Sequence, residues 1–226
     1  MRQFISMLSI TLLFSSCIGD DIILDTVEET LKITNQATSI AVGDTFRFEG
    51  RFTNNIGEVA DDQISWRSSD EAILEVTNEG LATGIAPGFA EIYAEVNLTD
   101  GETLQEQITV EVSGITTVVE TPTERSGKIQ TTSSYLLEGD FIVTENDNKL
   151  TIEVAENYQA STALPGLYVY LTNNPNSIND ALEIGKVEVF EGAHTYQIDK
   201  VNLTEYDYLL YFCKPFRVKV GDGKIE

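Results

Sequence analysis

The sequence has 226 residues, which is enough for one large domain or two small ones. It contains 14 lysines and arginines and 37 aspartates and glutamates, so the net charge is −23. This charge excludes nucleic acid as a partner, because a phosphate backbone is bound by a basic surface. A single histidine and two cysteines are too few for a structural zinc site and leave little scope for a histidine-based triad.

The first predicted element is a secretion signal over residues 1–16. Arg2 forms a short positive region, residues 4–14 (FISMLSITLLF) are an apolar run of eleven, and two serines precede Cys17. The run is too short to cross a membrane as a helix, which needs about 20 residues. This order of charge, apolar core and small residues is typical of a secretory signal peptide.

The four residues that end in Cys17 (FSSC) resemble the lipobox of bacterial lipoproteins. The resemblance implies that the Cys17 thiol is acylated, that the chain is cut before it, and that the new amino group is acylated too. Several acyl chains exceed the two signals that stable anchoring requires. The sequence therefore predicts a membrane partner through the lipid on Cys17; the alternative is an ordinary signal peptide followed by an unmodified cysteine.

An acidic tether is predicted over residues 17–30. Its pair Asp20-Asp21, close behind Cys17, resembles the surface-export signal of Bacteroidetes lipoproteins. The resemblance implies an outer-membrane lipoprotein at the cell surface, with the periplasmic face as the alternative. A solvated acidic linker explains the same residues without any export signal, since charges that repel one another keep a chain extended.

Residues 31–113 consist of short β-branched runs separated by turn residues. Runs of this kind with turns every 8–12 residues or so predict an antiparallel sandwich. Three segments, residues 64–70 (ISWRSSD), 78–84 (NEGLATG) and 87–92 (PGFAEI), resemble the bacterial Ig-like group-2 domain. The resemblance implies a spacer or adhesive module without chemistry of its own, with Trp66 as the central core aromatic.

Residues 114–125 (GITTVVETPTER) are rich in threonine and contain Pro122, which favours a linker. Within them, residues 116–119 are predicted to be strand residues of a neighbouring element. From residue 126 to residue 226 the chain is strand-rich again, which predicts a second β domain, a sandwich or a barrel. The predicted fold class is therefore all-β, with two β-sandwich or barrel domains in series.

The second domain, residues 126–226, resembles the DM-thirteen family. The matching segments are residues 164–171 (LPGLYVYL), 192–196 (GAHTY) and 206–216 (YDYLLYFCKPF). The resemblance implies extracellular redox or electron-transfer activity through the signature cysteine of the family, which corresponds here to Cys213. A haem-binding DOMON domain often accompanies this family, and the sequence shows none.

Cys213, His194 and Lys214 are the candidate redox residues. With Cys17 lipidated, Cys213 is the remaining thiol, and positive charge from Lys214 or His194 would favour its reactive thiolate. The alternative is an inert core cysteine, because Cys213 lies on an alternating strand with two apolar faces and free cysteine is among the most buried residue types. A lone histidine is likewise more often a hydrogen-bonded structural residue than a ligand.

No clustered histidines or paired carboxylates point to catalysis, so no catalytic residue, cofactor or metal is assigned. Asp61-Asp62 and Asp70-Glu71 offer calcium ligands, but acids in exposed loops are usually solvated. The sequence predicts an accessory binding or redox module rather than a self-sufficient enzyme, presented by an Ig-like spacer and acting with an envelope redox protein or a surface ligand. The alternative is an adhesive or glycan-binding surface lipoprotein, whose dense aromatic side chains stack on sugars.

Overall fold

The computed structural model describes residues 25–226. The regular elements in this range are nineteen β-strands and one turn of 3-10 helix at Asp61–Gln63, so the predicted all-β fold class is confirmed. No helix within these residues is long and apolar enough to span a membrane. The predicted signal peptide, Cys17 and the tether up to residue 24 lie outside the described residues.

Ten short strands build the first domain. They are β1 (Thr30–Ile33), β2 (Gln36–Ala41), β3 (Thr45–Arg47), β4 (Gly50–Thr53), β5 (Ser65–Ser68), β6 (Leu74–Val76), β7 (Leu81–Gly84), β8 (Gly88–Asn97), β9 (Thr103–Ser113) and β10 (Thr117–Val119). Three sheets result, with the strand orders β10-β2-β9-β8-β5, β3-β7-β6 and β1-β4. The ladder between β2 and β9 is parallel, and the other ladders of this domain are antiparallel.

One apolar core lies between these sheets. Ile40, Leu74 and Ile92 are fully buried in it, and alternate residues of β8 point into it, which is the period of a half-buried strand. Trp66 is buried as well, and its ring stacks on Phe48 with the ring centroids 6.1 Å apart. The predicted core position of Trp66 is therefore confirmed.

Part of the predicted linker belongs to the first domain. β10 pairs with β2 in antiparallel fashion, which confirms a strand within residues 116–119. The Ser39 hydroxyl donates to the carbonyl of Ile115 at 2.9 Å, and the Thr116 hydroxyl accepts from the backbone N–H of Ala41 at 2.9 Å. Only residues 120–123 separate β10 from the first strand of the second domain.

Nine strands build the second domain. They are β11 (Glu124–Thr131), β12 (Leu137–Asn146), β13 (Lys149–Val154), β14 (Gln159–Ala160), β15 (Leu167–Thr172), β16 (Leu182–Lys186), β17 (His194–Asp199), β18 (Tyr208–Cys213) and β19 (Val218–Lys224). All nine lie in one antiparallel sheet of order β16-β15-β18-β19-β11-β12-β13-β17, with β14 paired to β12. The end strands β16 and β17 line one small cavity, so the sheet curls into a nearly closed barrel.

The barrel has its own apolar core, separate from that of the first domain. On β18, Leu209, Tyr211 and Cys213 are fully buried and face the interior, as the alternation of the sequence predicts. At Gly223 on β19, an added Cβ would lie 2.6 Å from a ring carbon of Phe141 and 2.8 Å from the carbonyl oxygen of Lys128. The barrel wall therefore accepts only glycine at position 223.

We expect Gly223→Ala to lower the free energy of unfolding by about 1–3 kcal/mol, the usual cost of forcing extra atoms into a packed core. Gly114→Ala is the matched control, because a Cβ there would meet no atom within 4 Å, and it should cost less than about 0.5 kcal/mol. Equilibrium unfolding in urea measures both. Equal stability of the two variants would contradict the close approach at Gly223.

Candidate functional site at the domain junction

The three candidate redox residues have separate surroundings. Cys213 is fully buried in the barrel interior. The Lys214 ammonium lies outside the barrel, 2.5 Å from a carboxylate oxygen of Glu183 and 4.0 Å above the ring of Tyr168. The bond to Glu183 raises the pKa of Lys214. The charge of Lys214 is thus paired with Glu183 at the surface and does not face the Cys213 thiol.

His194 has a structural hydrogen bond. Its Nδ1 lies 3.0 Å from the carbonyl oxygen of Gly192, and because a carbonyl only accepts, Nδ1 carries the hydrogen. The ring packs edge-on against Tyr158 and Tyr196, with centroid distances of 4.7 and 5.2 Å. Within residues 25–226 no hydrogen bond joins Cys213, His194 and Lys214 to one another.

Three tyrosines of the barrel interior lie near His194. The hydroxyls of Tyr158, Tyr196 and Tyr211 are buried and have no hydrogen-bond partner among the described residues. Burial raises the pKa of Tyr158 and Tyr211 and raises the pKa of Tyr196 to about 12. All three phenols are therefore protonated at neutral pH, and they supply no positive charge that would activate Cys213.

Charged side chains come together instead where the two domains meet. Asp207, just before β18, accepts a hydrogen bond from Lys32 Nζ of β1 at 2.8 Å and one from Arg125 Nη2 of β11 at 3.3 Å. The Asp207 side chain is only 14% exposed. Burial acts to raise the pKa of Asp207, but the bond from Lys32 and the charges of Arg125 and Arg51 outweigh it, so this pKa lies below its usual value.

Asn173 supports Asp207 from the same domain. Its side-chain oxygen accepts from the backbone N–H of Asp207 at 3.0 Å, and its amide nitrogen donates to the carbonyl of Glu205 at 3.3 Å. Both ends of the Asn173 amide are thus used to fix the segment that carries the buried carboxylate. This segment, residues 205–207, forms the side of the second domain that faces the first.

Asn174 and Asn176 extend the junction across the two domains. Asn174 Nδ2 donates to the carbonyl of Ile56 in the first domain at 3.1 Å and to the carbonyl of Asp25. Asn176 Nδ2 donates to the carbonyl of Thr26 at 3.3 Å. Asp25 and Thr26, which belong to the predicted tether, are therefore hydrogen-bonded at the junction.

A cleft of about 620 Å³ lies beside these contacts. Phe48, Ile64 and Trp66 line it from the first domain, and Asn202, Thr204 and Glu205 line it from the second. The charged side chains that line it are Arg47, Glu49, Arg51, Asp61, Asp62, Glu79 and Glu205. A concave site with apolar lining and a few convergent polar groups at a domain boundary has the usual form of a binding site.

Arg51 of β4 is the unusual residue of this cleft. The side chain is 8% exposed, and its Nε and Nη2 atoms are buried with no hydrogen-bond partner in residues 25–226. Burial lowers the pKa of Arg51, and the charges of Asp207, Asp61 and Glu205 act in the opposite direction; an arginine remains charged in either case. Unmade hydrogen bonds on a buried cation are costly, so this guanidinium depends on the charges of the surrounding carboxylates for its stability.

Sequence reasoning did not single out Arg51 or Asp207. In the sequence, Arg51 is one basic residue among glycine, phenylalanine and threonine in a short strand, a pattern that solvent-exposed arginines share. Alternation around β1 and β4 places Lys32 and Arg51 opposite each other on one face. Two facing basic residues on a small two-stranded sheet are the signal that could have indicated an acidic partner.

Comparisons with known proteins do not identify the chain. No family model and no curated protein matches it. Among solved structures, domains 4 and 5 of the S-layer protein SbsC are similar with a TM-score of 0.29 and 12% identity, over 87% of this chain and 96% of that one. The longer rSbsC(31-844) gives a TM-score of 0.28 and 14% identity, over 87% of this chain and 27% of that one. The class that the structure defines is a two-domain all-β protein with a cleft at the junction.

We expect Cys213 to be unreactive in the folded protein, because its sulfur is fully buried. In a Cys17→Ser chain, an aromatic disulfide reagent should label no thiol under native conditions and one thiol after unfolding in denaturant. The Cys17→Ser/Cys213→Ser double variant supplies the blank. Stoichiometric labelling of the native protein within minutes would contradict the burial and favour redox activity at Cys213.

We expect Asp207→Asn to lower the free energy of unfolding at neutral pH by about 1.5–3 kcal/mol, because Lys32 and Arg125 lose a charged acceptor. The pKa of Asp207 is lower in the folded than in the unfolded chain. Its contribution is therefore complete above the unfolded value, near pH 4, and is lost as the pH falls through the folded value.

As the pH falls below about 4, the free energy of unfolding should accordingly decrease less steeply in Asp207→Asn than in the wild type. Asp199→Asn is the control, since the pair between Asp199 and Lys149 is exposed and 3.7 Å long, and such pairs contribute little. Equilibrium unfolding at a series of pH values measures all three proteins. Parallel curves for wild type and Asp207→Asn would disprove the role of the ionised carboxylate.

Proposed function

We propose that the chain is a lipid-anchored protein of the bacterial cell envelope whose two β domains act together as one binding unit, without catalysis of their own. The observation that carries the proposal is the cleft at the domain junction, which is lined by residues of both domains. A spacer that only carried the second domain would need no such cleft.

The junction supports this proposal because it holds the two walls of the cleft in place. Asp207 is bonded from both sides, by Lys32 and by Arg125. Asn174 joins the loop at Ile56 to the second domain. A site whose walls are already fixed avoids the ordering cost that a flexible site has on binding, so its affinity is higher for the same contacts.

The position of the tether sets how the unit would be displayed. Cys17, the proposed lipid site, precedes Asp25 by eight residues, and a fully extended chain of that length reaches at most about 26–29 Å. Because Asp25 and Thr26 are bonded at the junction, the anchor would attach near the boundary of the domains. The junction, rather than one end of the first domain, would then lie nearest the membrane.

A competing proposal is the redox module predicted from the DM-thirteen resemblance, acting through Cys213 with an envelope redox protein. It requires a partner to reach the sulfur or an electron to pass through the barrel wall. The observation that favours it is that Tyr158 and Tyr211 share the barrel core with Cys213, and that His194 packs on Tyr158. Native thiol reactivity, as described above, separates the two proposals.

We expect the wild-type protein to fractionate with the outer membrane and to be labelled on intact cells by an amine reagent that cannot cross membranes. Cys17→Ser should move to the soluble fraction, because the acyl chains supply the membrane affinity. Cys213→Ser is the matched control and should stay in the membrane fraction. A Cys17→Ser protein that remains membrane-bound would contradict the lipid anchor, and labelling only after lysis would contradict surface display.

A further inference from the structure

Four large apolar residues are exposed at one end of the first domain. Val42 follows β2, Ile85 follows β7, Phe89 is the second residue of β8, and Ile115 follows β9. These residues are between 43% and 67% exposed. A single exposed apolar residue is ordinary on a protein surface, whereas a contiguous group of them marks an interaction site. We call these four residues the apolar patch.

Backbone contacts bring three of these positions together. Val42 forms a β-bridge with Gly84, the residue before Ile85. The N–H of Val42 also donates to the carbonyl of Ser113 at 3.1 Å, two residues before Ile115. Val42 is therefore in direct contact with both segments that carry the other two side chains.

Phe89 adjoins the same segments from the neighbouring strand. In the ladder between β8 and β9, Gly88 is paired with Val112 and Phe89 with Glu111. Phe89 is exposed while the next residue, Ala90, is buried in the core, so Phe89 lies on the outer face of the sheet. The four positions therefore form one group, at the ends of β2, β7 and β9 and at the start of β8, and are not scattered over the surface.

The chain segments around the apolar patch are acidic. They are residues 40–45, 70–75, 83–91 and 110–118; the second of them adjoins the others because the N–H of Ile85 donates to the carbonyl of Ile73 at 2.8 Å. These segments contain no lysine, arginine or histidine, and their acids are Asp44, Asp70, Glu71, Glu75, Glu91 and Glu111. An apolar centre with a polar rim is the usual organisation of a protein–protein interface.

The charge of this rim decides between three occupants of the patch. A second copy of the chain would bring an identical acidic rim against the first, because a two-fold interface pairs the same surface of both partners, and like charges across an interface are unfavourable. A bilayer with anionic headgroups would be repelled for the same reason. A protein segment with basic residues on either side of apolar ones is complementary to both the patch and its rim.

We propose that the apolar patch docks a protein segment in which apolar side chains are flanked by lysine or arginine. The apolar side chains of the partner cover Phe89 and Ile115, and its cations lie against carboxylates of the rim such as Glu111. Complementary charge speeds the association and excludes acidic partners. The inference goes beyond the proposed function, because it gives the first domain a protein partner at a surface that shares no residue with the lining of the junction cleft.

The purified Cys17→Ser chain tests the inference with two short fluorescent peptides, one that alternates valine with lysine and one that alternates valine with glutamate. Fluorescence anisotropy should show binding of the lysine peptide and no binding of the glutamate peptide. Phe89→Ser should weaken binding of the lysine peptide about tenfold, because the contact area of the aromatic ring is lost. Phe216→Ser is the matched control and should bind as the parent chain does, since Phe216 is 58% exposed but lies between β18 and β19 of the second domain.

Glu111→Lys tests the acidic rim without removing an apolar side chain. It should weaken binding of the lysine peptide several-fold, because a carboxylate beside Phe89 is replaced by a cation that repels the peptide. Glu138→Lys changes the net charge by the same amount at an exposed position of β12 in the second domain. This control should bind the lysine peptide nearly as well as the parent chain does.

Equal binding of the two peptides, no binding of the lysine peptide, or binding that survives both Phe89→Ser and Glu111→Lys would each overturn the inference. Sedimentation velocity and flotation with phosphatidylglycerol vesicles test the other two occupants. Self-association or vesicle binding that is lost in Phe89→Ser would assign the patch to a second copy of the chain or to a membrane, and would overturn the inference as well. Thermal melting of each variant checks that the substitutions leave the fold intact.

Discussion

The arrangement of the two domains depends on a carboxylate that cannot be left unpaired. Asp207 is largely buried, and a buried carboxylate is stable only when hydrogen-bonded donors or cations surround it. Lys32 provides one donor from the first domain, and Arg125 provides another at the start of the second. Arg125 also donates to the carbonyls of Leu203 and Tyr206, which fixes the segment that leads into Asp207. The positions of both cleft walls follow from these bonds.

The sequence predicts the parts of this protein that depend on local pattern. Alternation identifies the strands, the Trp66 segment identifies a core aromatic, and the period of two on β18 places Cys213 inside. The junction escapes such prediction because its contacts join distant positions, such as Asn174 and Ile56, which are 118 residues apart. In the sequence, Asn174 is one of several asparagines that predict only a turn.

Gly57 is another junction residue whose role cannot be predicted from the local sequence. In the sequence it is one more turn glycine between Ile56 and Glu58. In the structure it has a φ of +89°, and an added Cβ would lie 2.6 Å from the Cβ of Asn174 in the other domain. Its small size thus serves both a local turn and close contact between domains. Only the second requirement concerns the contact between the domains, and nothing in the local sequence distinguishes it from the first.

The net charge of −23 is unevenly distributed between the domain junction and the rest of the surface. Arg51 and Arg125 are largely withdrawn from solvent at the domain boundary, close to Asp207, whereas Lys32 is half exposed and reaches Asp207 from the surface. The surface that remains is therefore more acidic than the composition alone suggests, and an acidic surface is repelled by anionic lipid headgroups. An anchor attached at the junction through eight residues would work against that repulsion. The same acidic field would also repel anionic ligands from the junction cleft, whose lining has five carboxylates and two guanidiniums.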